Sequence, residues 1–334
     1  LEVIGSLEDG GVLFQSDSVQ VLRVRWATLD GMDAEGLYIS PKTKPKGWLI
    51  LVPDADTTPE MIAGLQTGSA TSGLLDCGYA VLIPALLNRD NAFSQSEAFG
   101  IKTNVTHREW IYRQSFVQGR HIIGLEVQKL LAAVDWIKVT DATLPVTIAG
   151  IGEGGMLALY AGALDERIGS VQVAGSFGPR ERVWEEPIYR NVQGLLAEAG
   201  DAELAAMIYP RSLHIHLWGS PEVDGPPEAK EGVRKIAAPG KLQPQEKAAV
   251  LGEAEKARRI TGHAEWLTVN EKSASLADLV GSLPGAGSAS SVQVQSDFTI
   301  QSTQRQQRMV KQMGDWCQAR LAAGERDRDS AFWK

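Results

Sequence analysis

The chain has 334 residues, of which 43% are hydrophobic, enough for one large α/β domain or two smaller ones. Its net charge is −8 and no block is rich in lysine or arginine, which argues against nucleic acid and anionic membranes as main partners. The two cysteines, Cys77 and Cys317, predict neither a disulfide framework nor a thiolate zinc site, and no apolar run reaches the roughly 18 residues of a membrane span.

The N-terminal part of the chain predicts an antiparallel sheet edge followed by a buried strand. Alternating apolar and polar residues over 19–40, with a turn at Asp30 and Gly31, predict a hairpin. The continuous apolar run Trp48–Val52 predicts a strand that is covered on both faces. Thr58 is predicted to cap a helix that begins at Pro59 and runs to Leu75.

Strands and helices then alternate. A long amphipathic helix is predicted from His107 to Trp136, with an interruption near Gly119 or Gly124. Further strands are predicted at 79–84, 146–149, 169–174, 213–218 and 265–269, and further helices at 156–164, 201–208, 245–260 and 304–328. This alternation predicts a mostly parallel sheet with helices on both faces, in which ligands bind at the carboxyl ends of the strands.

Composition also predicts the domain organisation. We predict a main domain over 1–280, a linker over 281–291 and a C-terminal strand and helical extension over 292–334. The linker prediction depends on the segment GSLPGAGSASS, whose composition is typical of flexible connections. Because the chain begins at Leu1 rather than at a methionine, we expect a removed upstream segment, and the chain is interpreted as one part of a longer protein.

The segment Pro145–Ile168 contains the most informative motif. A short apolar strand, four closely spaced glycines and an Ala/Leu-rich helix follow one another, which is the layout of a G-x-S-x-G nucleophile elbow. Here the frame is Gly150-Ile151-Gly152-Glu153-Gly154, so the serine is missing. The neighbours two residues from a nucleophile must be small, which favours Gly152 over Glu153 at that position. The alternatives are a glycine-rich turn without a site and a phosphate-binding loop, whose spacing is not met.

Charged residues are predicted at the same sheet edge. Glu153, Asp54 and His107 could form a catalytic group, because carboxylates held together in a dry pocket shift each other's pKa. The alternative is that the carboxylates cap turns and helix N-termini. The candidate binding residues are Asp56, Arg108, Glu109 and Arg113, for which the alternative is an ion pair that fixes a loop.

The remaining histidines and serines give weaker patterns. His121 is predicted within the long helix as a packed histidine. His214 and His216 share one face of a strand, but no third ligand is apparent, so neither a metal nor a cofactor is predicted. Ser176 and Ser220 lie near strand ends without elbow spacing.

The strand order, the glycine turn and the run GGMLALYAGALDERI resemble the α/β-hydrolase superfamily, and its acetylxylan-esterase and dienelactone-hydrolase branch in particular. The stretches VPDADTTPE and HREWIYRQSFVQGRHIIGLEVQKLLAAVDW are similar to a subgroup of large esterase-like proteins. The resemblance covers about residues 20 to 270. It implies an α/β-hydrolase fold with a mostly parallel central sheet, helices on both faces and an antiparallel N-terminal edge.

The resemblance also implies where a Ser-His-Asp triad would lie. The nucleophile position falls on Gly152, and Glu222 or Asp224 could stand at the position of the acid. The histidine is expected near residues 270–271, yet the last histidine of the chain, His263, precedes that strand.

An oxyanion hole could persist without the triad. Its backbone N–H groups would come from near Glu153 and from near Asp54 or Ala55.

These observations support a degenerate hydrolase domain with a binding or scaffolding role. The resemblance implies a carbohydrate or ester ligand and an exported or periplasmic location. Because the sequence begins abruptly at Leu1 and ends at a charged helix, we also expect a further domain of the same longer chain as a partner. The alternative is an active hydrolase that processes carboxylic esters or glycans with Glu153, Asp54 and His107 at the crevice. A third hypothesis is a serine esterase whose nucleophile comes from elsewhere in the chain.

Overall fold

The computed structural model describes residues 1–5, 10–67, 73–96, 99–271, 275–285 and 296–333. The strands are β1 (Glu2–Val3), β2 (Val12–Gln15), β3 (Val19–Leu29), β4 (Met32–Pro41), β5 (Trp48–Val52), β6 (Ala80–Pro84), β7 (Gln95–Ser96), β8 (Ile101–Lys102), β9 (Val146–Ile151), β10 (Ser170–Ala174), β11 (Ser212–His216) and β12 (Leu267–Asn270). The helices are α1 (Pro59–Ile62), α2 (His107–Phe116), α3 (Ile122–Thr140), α4 (Glu153–Leu164), α5 (Leu195–Glu198), α6 (Asp201–Ala206), α7 (Lys247–Thr261), α8 (Leu276–Gly281), α9 (Thr299–Ala323) and α10 (Glu325–Arg328).

One large sheet organises the described residues. Its strand order is β1-β3-β4-β6-β5-β9-β10-β11-β12, and β2 pairs with β3. The strands from β6 to β12 in this order run parallel, whereas β1 to β4 form an antiparallel edge that joins β6 through β4. The predicted mostly parallel sheet with an antiparallel N-terminal edge is therefore confirmed.

The direction of chain travel across the sheet reverses at β5. From β5 the chain first adds β6 on one side, and it later adds β9 on the other side. The loops that leave the carboxyl ends of β5 and β9 consequently diverge, and a crevice opens between them. Asp54 follows β5 and Gly152 follows β9, so both residues lie at this crevice.

Alternation along the central strands divides the core into two layers. In β5, Trp48, Ile50 and Val52 belong to one buried cluster, and Leu49 and Leu51 belong to the other. Because successive side chains of a strand point to opposite faces, both faces of the sheet are covered. Helices α3, α4, α7 and α9 contribute to the first cluster, and α1 and α8 contribute to the second.

The helix predicted over 59–75 is mostly wrong. Thr58 caps α1 as predicted, since its hydroxyl accepts the Met61 N–H at 3.2 Å, but α1 ends at Ile62. Gly64 has a φ of 76°, in the left-handed region where helices commonly end, and a separate short turn covers Leu74–Asp76. Residues 68–72 of this prediction lie outside the described residues.

The long helix predicted from His107 to Trp136 is two helices, α2 and α3. The break lies at Gly119, with a φ of 64°, as predicted, whereas Gly124 lies within α3. The placement of His121 within a helix was wrong, because His121 is the N-cap of α3 and its Nδ1 accepts the Ile123 N–H at 3.1 Å.

The C-terminal helix α9 packs on the body of the protein. Met309, Met313 and Cys317 are buried in the same cluster as the parallel sheet. Arg305 pairs with Glu60 at 2.6 Å, and both side chains are almost fully buried. The residues between Gly285 and Ser296, which include most of the predicted linker, lie outside the described residues, so the linker stays a prediction. Among the described residues, no helix is long and apolar enough to cross a membrane.

Candidate functional site

The turn between β9 and α4 is tight and depends on glycine. Gly152 has φ 57° and ψ −120°, a backbone conformation that L side chains rarely adopt. A Cβ atom on Gly150 would lie 2.0 Å from the carbonyl oxygen of Gly154, and one on Gly154 would lie 2.2 Å from that of Val52. Only glycine fits at these two positions, as the sequence frame with Gly152 between them predicts.

Asp54 fills the space beside Gly152. A Cβ atom on Gly152 would lie 2.3 Å from Asp54 Oδ1, and the same oxygen accepts the Glu153 N–H at 2.9 Å. Burial alone would raise the pKa of Asp54, but hydrogen bonds and the charge of Arg89 outweigh it and hold the pKa below its usual value. The Asp54 carboxylate thus occupies the space that a side chain at residue 152 would need, and it also accepts a hydrogen bond from the first N–H of α4.

Three arginines surround the fully buried carboxylate of Glu153. Its Oε2 accepts from Arg190 Nη1 at 2.6 Å and from Arg89 Nη2 at 3.2 Å, and its Oε1 accepts from Arg108 Nη2 at 3.1 Å. Burial opposes the charge, but Arg190, Arg108 and Arg89 lower the pKa of Glu153 to about 2. The carboxylate is therefore ionised near neutral pH and has no exposed surface for a substrate.

Further acidic and aromatic groups hold the arginines in turn. Arg89 uses all its N–H groups, donating to Asp54, Asp56, Glu153 and the hydroxyl of Tyr189. Arg108 pairs with Glu126 at 2.8 Å and stacks over the ring of Tyr189, 5.2 Å from its centroid. Arg190 pairs with Glu186 at 2.5 Å. We call Glu126, Glu186 and Tyr189, with Asp54, Asp56, Glu153 and the three arginines, the ionic network.

His107 lies apart from these carboxylates. Its Nε2 accepts the Phe93 N–H at 2.9 Å, so Nδ1 carries the proton and donates to Asn88 Oδ1 at 2.6 Å. The ring is completely buried, and burial lowers the pKa of His107 to about 4. Both ring nitrogens are thus occupied by loop residues, and neither is bonded to Asp54 or Glu153.

The structure divides the predicted binding residues between two places. Asp56 and Arg108 belong to the ionic network, whereas Glu109 and Arg113 hold a neighbouring loop. Glu109 Oε1 accepts from Arg113 Nη2 at 2.6 Å and from the Ala238 N–H at 2.9 Å, and Arg113 donates to the carbonyl of Ile236 at 2.7 Å.

A cavity of about 270 Å³ lies between the ionic network and this loop. Asp56, Arg89 and Tyr189 line one side of it, and Glu222 and Val223 line the other. Glu222, a predicted candidate for the acid, therefore borders the crevice, whereas the other candidate, Asp224, is almost fully exposed.

The places expected for the rest of a triad hold other contacts. Asn270 lies 3.4 Å from a ring nitrogen of His216, and Glu271 pairs with Lys247 on the surface. His263 is half-exposed and stacks on Tyr209. In the part of the chain that the structure describes, no hydrogen bond joins a serine or cysteine side chain to a histidine.

The surroundings of the loop serine Ser176 and of the paired histidines give no indication of a catalytic or metal site. Ser176 is buried with its hydroxyl against the backbone of α4, since a Cβ on Gly155 would lie 2.5 Å from it. His216 Nε2 lies 3.3 Å from Oε1 of Gln172, which lies on the neighbouring strand β10 and pairs in register with His214. Within the described ranges, no group of three or more His, Cys, Asp or Glu side chains could hold a metal ion.

Sequence reasoning missed Arg89, Arg190, Glu126 and Tyr189. Arg89 follows β6, which was predicted as a strand over 79–84, and so lies at the carboxyl-end edge where ligands are expected; its position therefore offered a usable indication. Arg190 and Tyr189 come from a short turn in a stretch without periodicity, and Glu126 is one polar residue among several in α3. Nothing in their spacing indicated that they converge on Glu153.

No protein-family model and no curated protein matches the chain. Solved structures do match. One is a candidate acetyl xylan esterase from Bacteroides fragilis, with 15% identity and a TM-score of 0.54 over 77% of this chain and 68% of that one. Another is a methylesterase, with 13% identity and a TM-score of 0.57 over 92% of this chain and 68% of that one. At these identities the likeness shows the fold, and the predicted α/β-hydrolase fold is confirmed.

Proposed function

We propose that this α/β-hydrolase-fold protein has no catalytic serine site and acts through binding or scaffolding. The turn between β9 and α4 then corresponds to a nucleophile elbow that has glycine in place of the nucleophile. The observation that carries the proposal is the position of Asp54. Its Oδ1 lies where a side chain on residue 152 would have to stand, and it accepts the Glu153 N–H.

Serine catalysis needs a hydroxyl, a base within hydrogen-bond reach, and free N–H donors for the oxyanion. Gly152 supplies no hydroxyl, and the sequence has no histidine after the last strand. The N–H of Glu153, which would be an oxyanion donor, is already bound to a carboxylate. A substrate carbonyl would have to displace a negatively charged group that Arg89 also holds.

The alternative is an enzyme that uses Glu153, Asp54 and His107. A general acid or base needs a pKa near the working pH and a position within reach of the substrate. The low pKa of Glu153, its complete burial and the separate hydrogen bonds of His107 give this alternative less support. The crevice cavity beside Asp56 and Glu222 is the observation in its favour.

Ester hydrolysis tests the proposal directly. The purified chain would be assayed with p-nitrophenyl acetate and, since the fold neighbours are named as esterases, with acetylated xylan and a pectin methyl ester. We expect rates equal to those of a heat-inactivated sample. We also expect no labelling by a fluorophosphonate probe, which reports an activated serine anywhere in the chain and so addresses Ser176 and Ser220.

Two variants sharpen the assay. Gly152→Ser should remain inactive, because the new side chain meets Asp54 and a non-glycine residue is strained at this φ. Hydrolysis above background that disappears in Asp54→Asn, with the fold intact by circular dichroism, would contradict the proposal and support the carboxylate enzyme. Labelling by the probe would support the serine esterase.

A further inference from the structure

The two faces of strands β10, β11 and β12 differ in polarity. Strands of a parallel sheet that is covered on both faces are usually apolar throughout. One face follows this rule, because its residues on β10 and β11 are apolar and buried in the first cluster. They are Val171, Val173, Leu213 and Ile215. The opposite face carries Gln172, His214, His216 and Asn270, which pair in register or alternate along a strand and so point to the same side.

Helix α8 packs on the polar side of these strands. Leu279 and Val280 of α8 and Leu283 just after it are buried in the second cluster together with Ala149 of β9. Ala149 pairs in register with Gln172, so their side chains lie on the same face of the sheet. Helix α8 has only six residues, which is too short for a stable isolated helix in water. Its helical structure therefore depends on its contact with this face.

A chain of hydrogen bonds joins α8 to His216. The hydroxyl of Ser282, the C-cap residue of α8, lies 3.3 Å from Oε1 of Gln172. The same Oε1 lies 3.3 Å from Nε2 of His216, and Nδ2 of Asn270 lies 3.4 Å from Nδ1 of His216. One neutral tautomer satisfies both contacts of the ring, because Nε2–H donates to Gln172 and Nδ1 accepts from Asn270. We call Gln172, His216, Asn270 and Ser282 the polar layer.

A second proton on His216 would disrupt the polar layer. Nδ1 would become a donor that faces the amide donor of Asn270. The ring would also carry a positive charge in a place where it is only 4% exposed. Burying a charge without a counter-ion is costly, so the protonated ring favours any state in which it reaches water.

The surroundings of His216 supply no counter-ion. Among the described residues, no carboxylate forms a hydrogen bond or an ion pair with the ring. Strand β10 has no ionisable residue, Asp278 of α8 is exposed, and Glu271 after β12 pairs with Lys247 at 2.5 Å. The other ionisable group on β11 is His214, which would add positive charge. Burial and this neighbour lower the pKa of His216 to about 4.

We propose that protonation of His216 releases α8 from the sheet, so that α8 detaches in mild acid while the sheet stays folded. Release exposes the imidazole to water, where it binds a proton near pH 6.5. The attached state is therefore fully stable above that pH, loses stability as the pH falls below it, and loses no more below about pH 4. The released form presents the apolar residues of α8 and the sheet face that they cover. This inference goes beyond the proposed function and does not depend on the turn at Gly152.

Hydrogen exchange of the α8 amides tests the release. The N–H groups of Leu279, Ser282 and Leu283 donate to backbone carbonyls in this segment, so they exchange when α8 opens. NMR would measure their protection factors at pH 7.5 and 5.0, corrected for the pH dependence of intrinsic exchange. Because opening changes the pKa of His216 from about 4 to about 6.5, we expect these factors to fall about 25-fold. A fall of less than about threefold would overturn the proposal.

The central strands provide an internal reference. If α8 detaches from a folded sheet, its amides are less protected than those of β5 and β9 at both pH values. Equal protection of α8 and these strands would show that α8 opens only in global unfolding, and it would overturn the proposal.

Two matched variants assign the effect to one histidine. In His216→Gln the new amide can donate to Gln172 and accept from Asn270 but does not titrate, so the fall at α8 should shrink to less than about threefold. His121→Asn removes a different histidine whose pKa is also lowered to about 4, and it keeps a good N-cap for α3. Here the fall of about 25-fold should remain. A fall that persists in the first variant or disappears in the second would contradict the assignment.

The test does not depend on any single variant. Should His216→Gln not fold, the parent and His121→Asn chains still decide, because a small fall in the parent or its loss in His121→Asn overturns the proposal. Ester hydrolysis is measured separately and does not involve α8, so this proposal and the proposed function fail independently.

Discussion

The ionic network and the cleft of about 430 Å³ that Asn88, Asp90 and the first turns of α9 line meet at Asp56, and they differ in how far their polar groups are hydrogen-bonded. In the network, Glu153 has arginine partners on both oxygens and Arg89 has no unused N–H. In the cleft, Asn88 and Asp90 keep open groups within the described part of the chain. The charge of Glu153 is therefore compensated within the protein, apart from the unpartnered Nε of Arg108 in the same network, whereas Asn88 and Asp90 leave polar atoms available to solvent or a ligand.

The largest effect on stability is expected for Glu153→Gln, which tests whether the ionic network is a structural centre. This change keeps the shape but removes the charge that three buried arginines share, so we expect a loss of about 3–5 kcal/mol in the free energy of unfolding. Urea unfolding followed by circular dichroism measures it. A loss below about 1 kcal/mol would show that the network is not a structural centre.

As the pH is lowered from neutral, we expect stability to fall first because of three histidines with a lowered pKa, and only at lower pH because of the ionic network. Burial lowers the pKa of His107, His121 and His216 to about 4. The unfolded chain binds these protons near pH 6.5, so stability is full above that pH and falls by on the order of 1 kcal/mol per histidine between about pH 7 and 5.5.

The carboxylates contribute a second loss at lower pH. The pKa of Glu153 is lowered to about 2, so its stabilising effect is complete above the unfolded value and declines as the pH falls below about 4.5. Urea midpoints measured from pH 8 to 3 should therefore fall in two stages. A flat profile between pH 7.5 and 5 would contradict the histidine assignment.

Asp54 and Asp56 allow a comparison within the ionic network, with a smaller expected loss in the free energy of unfolding. Asp54 is bonded to Arg89 and the Glu153 N–H, whereas the Asp56 side chain is 53% exposed. We expect Asp54→Asn to lower the free energy of unfolding by about 2–3 kcal/mol and Asp56→Asn by about 1 kcal/mol or less. Thermal melts of both variants would be compared, and the reverse order would contradict the division drawn at Asp56.

The smallest effect is expected outside both regions. Glu2 pairs with Arg25 at 2.6 Å, but the Glu2 side chain is 66% exposed. Glu2→Gln should change the free energy of unfolding by less than about 1 kcal/mol, because water screens the pair. This variant is the control for Glu153→Gln, since both remove one carboxylate from an arginine pair.

Much of the fold could be predicted because it follows from local periodicity. The hairpin over 19–40, the buried run Trp48–Val52 and the glycine turn at Gly152 all have sequence patterns that match their structures. The predicted helix over 59–75 failed because apolar spacing continued past Gly64, where the backbone turns into the left-handed region. A pattern of side chains does not report this dihedral directly.

The candidate site was predictable only in part. Asp54 and Glu153 follow strands at the correct edge, so topology brings them together. The arginines that neutralise Glu153 come from three distant segments, at residues 89, 108 and 190, and no spacing rule links them. His107 was predicted at the right edge of the sheet, but its partners are loop atoms whose positions depend on tertiary packing.

The contact between Asp54 and Gly152 constrains how this chain could change in evolution. A serine at 152 requires space that the aspartate occupies, and a smaller residue at 54 leaves Arg89 without its closest counter-ion. We therefore expect each single substitution to lower the stability of the protein and the two effects to be non-additive. A mutational path to a serine at the turn would then pass through a less stable intermediate or require both substitutions at once.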